Sequence, residues 1–81
     1  MTPTVVVTGA GSGIGRAIAA TLAQRNWRVV VTDLDGDAAR EVAASLANPE
    51  AGHESAQLDV TSPEGAAAVA ADVAARLGLD A

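Results

Sequence analysis

Four glycines at alternate positions separate two runs of residues with opposite structural preferences. The run before them, Thr4-Val5-Val6-Val7-Thr8, is typical of a parallel strand that is covered on both faces, because its apolar residues are consecutive rather than alternating. The run after them, from Arg16 to Ala23, is rich in helix formers. The sequence therefore predicts a tight turn from a strand into a helix, built on Gly9, Gly11, Gly13 and Gly15.

A turn of this kind favours a bound anion. Glycines carry no Cβ atom, so an anion can approach the backbone N–H groups closely. The first turn of the helix adds unpaired N–H groups and the positive end of the helix dipole. The sequence therefore predicts a phosphate site at this turn. Arg16 lies in the first helical turn, but an exposed surface arginine is the simpler interpretation of it.

The spacing of the glycines separates this turn from other phosphate-binding loops. The pattern G-x-G-x-x-G fails in both frames, because Ile14 or Arg16 stands where the third glycine is required. A P-loop needs a lysine after its last glycine, and the chain has no lysine. The pattern that fits is T-G-x-x-x-G-x-G, beginning at Thr8, and the wording TGAGSGIG resembles the N-terminal signature of the short-chain dehydrogenase/reductase family.

Strand and helix signals alternate along the chain. Strands are predicted at 4–8, at 28–32 with Asp33 at its end, and at 53–60, and helices at 13–25, 38–47 and 63–77. Asp35 is a predicted N-cap, and Ser62 before Pro63 is typical of a helix start. Residues 1–81 thus form a single partial dinucleotide-binding domain of the α/β class, a parallel βαβαβα half of a doubly wound Rossmann-like fold.

The family resemblance also implies a strand order and a role for the last three residues. It implies the order 3-2-1, with Leu79-Asp80-Ala81 as the opening of a fourth strand that is cut off. Strand one would then lie at an edge, and a valine-rich edge is a pairing hazard. We therefore expect the isolated chain either to self-associate through this edge or to fold only marginally, in addition to the homo-oligomers of the family.

Asp33 ends the second strand, where a dinucleotide-binding half places an acidic residue that accepts hydrogen bonds from the adenosine ribose. A carboxylate there repels the 2′-phosphate of NADP, and the positions where family members that use NADP carry a basic residue hold Ser12 and Leu34. The sequence therefore predicts NAD as the cofactor. The alternative is an aspartate that only caps or shapes the turn.

The resemblance assigns further contacts to NAD. Asp59 would accept from the adenine amino group while the N–H of Val60 meets a ring nitrogen, although Asp59 could simply shape the turn before the third helix. Ser12 and Ile14 match positions that contact the ribose and, through main-chain N–H groups, the pyrophosphate. The predicted cofactor-binding set is Gly9, Gly11, Ser12, Gly13, Ile14, Gly15, Asp33, Leu34, Asp59 and Val60.

Composition excludes several other classes of function. The net charge is -5 and the five basic residues are scattered arginines, which argues against a nucleic-acid partner. The chain has no cysteine, and its one histidine, His53, is expected to be a solvated loop residue rather than a metal ligand. No apolar run has membrane-spanning length and no signal-peptide pattern is present, so we expect a cytoplasmic protein.

Two interpretations of the function remain. Family members carry a catalytic serine, tyrosine and lysine further along, and this chain has neither tyrosine nor lysine, so no catalytic residue is assigned in it and we expect it to be inactive alone. It is then the NAD-binding portion of an oxidoreductase that transfers hydride between NAD(H) and an alcohol or carbonyl. The alternative is a self-standing, non-catalytic nucleotide-binding or assembly module. The abrupt end in a new hydrophobic strand favours the first.

Overall fold

The computed structural model describes residues 2–81, in which strands and helices alternate. The elements are β1 (Thr4–Val7), α1 (Gly13–Gln24), β2 (Arg28–Asp33), α2 (Gly36–Ser45), β3 (Glu54–Gln57) and α3 (Pro63–Arg76), with a 3-10 turn at Pro49–Ala51 before β3. The strands form one parallel sheet in the order β1-β2-β3. The predicted βαβαβα half of a doubly wound fold, with strand order 3-2-1, is confirmed.

The two strand pairs share the same offset along the chain. Thr4 pairs with Arg28 and Val30 pairs with Glu54, a separation of 24 residues in each case. Each parallel pairing therefore spans a turn, a whole helix and a return connection, as a right-handed crossover requires.

Alternate side chains of the sheet face different helices. One face packs against α1 and α2, and its buried cluster is built from Val5, Val7, Ala10, Ala19, Ala23, Val29, Val31, Ala39, Val42 and Leu46. The intervening Val30 is also buried, and it lines a cleft on the opposite face together with Val69 and Val73 of α3. α1 and α2 thus cover one face with mainly small side chains, and α3 lies across this cleft from the β2–β3 part of the opposite face.

Charged groups fix the orientation of α3 against β3. Arg76 donates to both carboxylate oxygens of Glu54, at 2.9 and 3.1 Å, and its Nη2 also donates to Asp72 at 2.8 Å. The hydrogen bonds from Arg76 hold the pKa of Glu54 and the pKa of Asp72 below their ordinary values. The hydrogen bonds of Arg76 to Glu54 and Asp72 add to the apolar packing of Val73, the buried residue of α3.

The ranges of α2 and β3 differ from those predicted by more than one residue, while the bounds of the other elements differ by one residue at most. α2 begins at Gly36 rather than at residue 38, because the Asp35 carboxylate accepts the N–H groups of Asp37 and Ala38 and starts the helix at once. β3 covers Glu54–Gln57 rather than 53–60, because the chain turns away after Leu58, whose N–H still donates to the Asp33 carbonyl. The predicted caps Asp35 and Ser62 are confirmed.

The outer edge of β1 is partly occupied by the last residues of the chain. The N–H groups of Asp80 and Ala81 donate to the Thr4 carbonyl, and Val6 N–H donates to the Ala81 carbonyl at 2.8 Å. The Asp80 side chain also accepts from the Thr4 N–H at 2.8 Å. Leu79-Asp80-Ala81 therefore lies beside β1, as expected of a fourth strand, and the edge is less open than the sequence predicts. Self-association stays a prediction.

His53 is a structural cross-link rather than a solvated loop residue. Its Nδ1 accepts from the N–H of Val29 at 3.0 Å, and its Nε2 lies 2.8 Å from the carbonyl oxygen of Ala47. Since Nδ1 is an acceptor, the ring proton lies on Nε2, which donates to Ala47. The ring therefore ties the start of β2 to the segment between α2 and β3.

Replacing His53 with phenylalanine is expected to destabilise the chain by about 1–3 kcal/mol, because the N–H of the buried Val29 loses its acceptor. Asparagine at this position offers an oxygen near the place of Nδ1 and should recover part of the loss. Urea denaturation followed through Trp27, the single tryptophan, measures both variants. A His53→Phe variant as stable as the parent chain would contradict the cross-link.

Candidate functional site

A cleft opens where the carboxyl ends of the three strands meet, which is where open α/β sheets bind ligands. It has a volume of about 310 Å³ and is lined by Thr8, Gly9, Asp33, Leu34, Leu58, Asp59, Val60 and Thr61. Half of the ten predicted site residues therefore line one cleft, and the other half lie in the adjoining glycine turn and first turn of α1.

Two large apolar side chains are exposed in this cleft. Leu34 follows β2 and is 65% exposed, and Val60 lies in the turn after β3 and is 63% exposed. Polar groups of Asp33 and Asp59 accompany them. Apolar walls with a few placed polar groups are typical of a small-molecule site.

The glycines of the turn are required for two different reasons. Gly9 and Gly13 have φ values of +62° and +63°, which residues with a Cβ rarely adopt. A Cβ built on either would meet nothing within 4 Å, so both leave open space over the turn. Gly11 and Gly15 are instead short of space. A Cβ on Gly15 would overlap the carbonyl oxygen of Gly9.

Of the three α-helices in residues 2–81, α1 is the one whose N-terminus lacks a side-chain cap. Ser12 occupies the N-cap position in extended conformation, but its hydroxyl makes no capping hydrogen bond. Within the same residues, the N–H groups of Gly13, Ile14 and Gly15 have no hydrogen-bond acceptor. Three adjacent free donors and the positive end of a helix dipole are suited to an anion.

The preceding N–H groups of the turn are engaged by β2. Ala10 donates to the Thr32 carbonyl at 2.9 Å, and Gly11 donates to Oδ2 of Asp33 at 2.9 Å. The buried Thr32 also donates through its hydroxyl to the Val7 carbonyl. The anion-binding donors of the turn therefore begin only after Gly11.

Asp33 accepts two backbone hydrogen bonds. Besides the one from Gly11, its Oδ1 accepts from the N–H of Asp35 at 3.0 Å. The bonds from Asp35 and, second, from Gly11 hold the pKa of Asp33 below its ordinary value, so the side chain is ionised near neutral pH. The turn-shaping alternative is thus part of its role, yet each carboxylate oxygen keeps a lone pair for a further donor.

Asp59 has one engaged and one free oxygen. Oδ1 accepts from both the hydroxyl and the N–H of Thr61, at 2.6 and 2.9 Å, and these bonds lower the pKa of Asp59. Among the described residues 2–81, Oδ2 has no hydrogen-bond donor. Asp59 therefore shapes the turn after β3 and still presents an acceptor at the cleft.

Sequence reasoning did not single out several residues of this site. Leu58 and Thr61 line the cleft, and Thr32 joins β2 to the turn. A threonine directly after a run of buried valines is the signal for Thr32, since a buried hydroxyl needs a partner. Arg16 is exposed, as expected.

The signature, the cleft and the strand order all agree with one family. The family model of the short chain dehydrogenases matches residues 3–80. The chain belongs to the short-chain dehydrogenase family.

Curated and solved members of the short-chain dehydrogenase family give the extent of this likeness. The 1-deoxy-11-beta-hydroxypentalenate dehydrogenase of Streptomyces avermitilis is 43% identical over 75 residues, which cover 93% of this chain and 28% of that protein. The hydroxysteroid dehydrogenase structure from Escherichia coli superposes with a TM-score of 0.83 at 34% identity, over 96% of this chain and 32% of that one.

A third protein of similar structure is described by its cofactor. YwfH, an NADPH-dependent reductase involved in bacilysin biosynthesis, superposes with a TM-score of 0.84 at 27% identity, over 99% of this chain and 35% of that one. The chain thus spans about a third of the length of these three proteins or less. At least one neighbour of the same fold is therefore described as NADPH-dependent.

Two features of residues 2–81 bear on other kinds of site. Among the helices of this part of the chain, none has the length and apolar character needed to cross a bilayer. In the same residues, His, Asp and Glu side chains do not gather into a group of three that could hold a metal ion. The cytoplasmic location and the lack of nucleic-acid partners stay predictions.

Proposed function

We propose that this chain binds the adenosine diphosphate part of NAD, as the cofactor-binding portion of an oxidoreductase that transfers hydride between NAD(H) and an alcohol or carbonyl substrate. The observation that carries the proposal is the uncapped start of α1, with free N–H groups from Gly13 to Gly15, beside a cleft with two carboxylates. The donor set fits a dinucleotide, because it offers donors for phosphate and acceptors for hydroxyl and amino groups.

Each part of the site has a separate task in this proposal. The N–H groups of Gly13 to Gly15 donate to the pyrophosphate, and the open space over Gly9 and Gly13 admits it. Leu34 and Val60 contact the adenine ring, and Oδ2 of Asp59 accepts from its amino group. Bound NAD would supply the hydride acceptor; the residues of this chain only bind and orient it.

A preference for NAD over NADP follows from Asp33. Its ionised carboxylate lies in the cleft, where a 2′-phosphate would meet a like charge. Neither Ser12 nor Leu34 supplies a compensating positive charge. The NADPH-dependent neighbour shares the fold, so the choice between the cofactors depends on these few side chains.

Calorimetric titration of the chain with NAD, NADP and ADP-ribose tests the proposal. NAD and ADP-ribose are expected to bind with similar affinity, because the proposed contacts involve only the adenosine diphosphate half. NADP is expected to bind at least about tenfold more weakly because of the repulsion at Asp33. A folded chain, verified by circular dichroism and of known oligomeric state, that binds none of the three ligands would contradict the proposal.

A further inference from the structure

Gly11 is enclosed by residues from the corner between β2 and α2. Its N–H donates to Oδ2 of Asp33 at 2.9 Å. An ideal Cβ on Gly11 would lie 2.9 Å from the Cβ of Ala38 and 2.9 Å from Oδ2 of Asp33, closer than real side chains approach. The middle of the glycine turn is therefore packed closely against the Asp33 carboxylate and the first turn of α2.

The contacts around Gly11 form a closed circuit of four residues. Asp33 binds Gly11 with one oxygen and the N–H of Asp35 with the other. The Asp35 side chain accepts from the N–H of Ala38. The methyl group of Ala38 in turn occupies the space beside Gly11 that a Cβ there would need. The position of Gly11 is thus set by the start of α2, although 27 positions of sequence separate Gly11 from Ala38.

We propose that Asp33 and Ala38 are positioning residues for the phosphate-binding turn. Together they fix Gly11, and by fixing it they set the direction of the free N–H groups that follow at Gly13 to Gly15. This rests on the proposed function, because it assigns the turn to a pyrophosphate. It adds Ala38 to the residues that govern binding, and it gives Asp33 a second role besides contact with the ribose.

A ligand without ribose separates the two roles of Asp33. If Asp33 acts only on the ribose, its charge can only repel inorganic pyrophosphate, and Asp33→Asn should bind that ion as tightly as the parent chain or more tightly. If Asp33 positions the turn, the same substitution should weaken pyrophosphate binding, because Gly11 loses its charged acceptor. Weaker pyrophosphate binding by Asp33→Asn is therefore predicted by the positioning role alone.

The first experiment compares Asp33→Asn with Asp37→Asn by NMR titration with inorganic pyrophosphate. Asp37 is exposed, pairs with Arg40 and lies at the same corner, so its variant removes one charge without touching Gly11. We expect about tenfold weaker binding for Asp33→Asn and no weakening for Asp37→Asn. We also expect the Gly11 amide to exchange with water at least about tenfold faster in Asp33→Asn alone.

The second experiment tests Ala38 through its size. Ala38→Val should weaken the binding of pyrophosphate and of NAD by a similar factor, because the larger side chain displaces Gly11. Ala44→Val is the matched control, since Ala44 is an exposed alanine of the same helix and bears the same cost in helix propensity. Circular dichroism melts verify that both variants are folded.

Each outcome decides one claim. Equal or tighter pyrophosphate binding by Asp33→Asn, or unchanged binding by Ala38→Val, overturns the positioning role while leaving NAD binding intact. A parent chain that binds neither NAD nor pyrophosphate overturns the proposed function instead. In that case the exchange rate of the Gly11 amide still decides whether Asp33 fixes the turn. An unchanged rate in Asp33→Asn overturns the positioning role of Asp33.

Discussion

Replacing Gly15 with alanine is expected to destabilise the chain by about 3 kcal/mol and to abolish nucleotide binding. Helix propensity alone predicts the opposite sign, because alanine in a helix is about 1 kcal/mol more favourable than glycine. A steric clash outweighs this gain in helix propensity. A Cβ at this position would overlap the Gly9 carbonyl oxygen, a backbone atom that cannot move without opening the turn.

Gly65→Ala is the matched control for this prediction. Gly65 is the third residue of α3, as Gly15 is the third residue of α1, but a Cβ on Gly65 would lie 3.4 Å from Ser62 Oγ, an ordinary contact. This variant is expected to gain up to about 1 kcal/mol. Urea denaturation measures both. A Gly15→Ala chain that matches the Gly65→Ala chain in stability would show that the turn has room to relax.

Replacing Leu34 with arginine is expected to raise the affinity for NADP relative to NAD by at least about tenfold. Leu34 is 65% exposed at the cleft, so a long charged side chain fits there at little cost in stability. The new guanidinium can donate two hydrogen bonds to the 2′-phosphate and offsets the charge of Asp33. Asp33 itself is retained, because its removal would also release Gly11.

Leu34→Met is the control, since methionine has a similar volume and no charge. Competition titrations with both cofactors give the ratio of the two dissociation constants for each variant. The ratio should change in the arginine variant and stay constant in the methionine variant. A constant ratio in both would mean that the 2′-phosphate does not lie near residue 34, and the proposed placement of the adenosine would be wrong.

Local sequence signals predicted most of the fold. The valine runs of β1 and β2, the glycine turn, and the caps Asp35 and Ser62 are visible within a few residues of chain, and the structure confirms them. The strand order followed from the family resemblance and is confirmed as well. Five of the residues that line the cleft were predicted, because they follow directly after strands or match the family's cofactor elements: Gly9, Asp33, Leu34, Asp59 and Val60.

Contacts between distant segments were not predictable in the same way. The hydrogen bonds of Asp33 to Gly11, of His53 to Val29 and of Asp80 to Thr4 join residues 22, 24 and 76 positions apart. No periodicity or motif marks them, because each depends on how two turns meet in space. His53 is the clearest case, since a lone loop histidine after a glycine gives no sign of the amide that it accepts.

The equal offset of 24 residues in both strand pairs has a consequence for the rate at which the chain folds. Neither pairing can begin with a local hairpin, so a long segment must be ordered before the first strand contact stabilises it. Residues 2–81 lack short-range strand contacts that could form early, and parallel pairing of this span places the chain among slow folders despite its small size. While the sheet is incomplete, the valines of β1 and β2 stay accessible to other chains, so aggregation competes with folding and lower protein concentrations favour the native state.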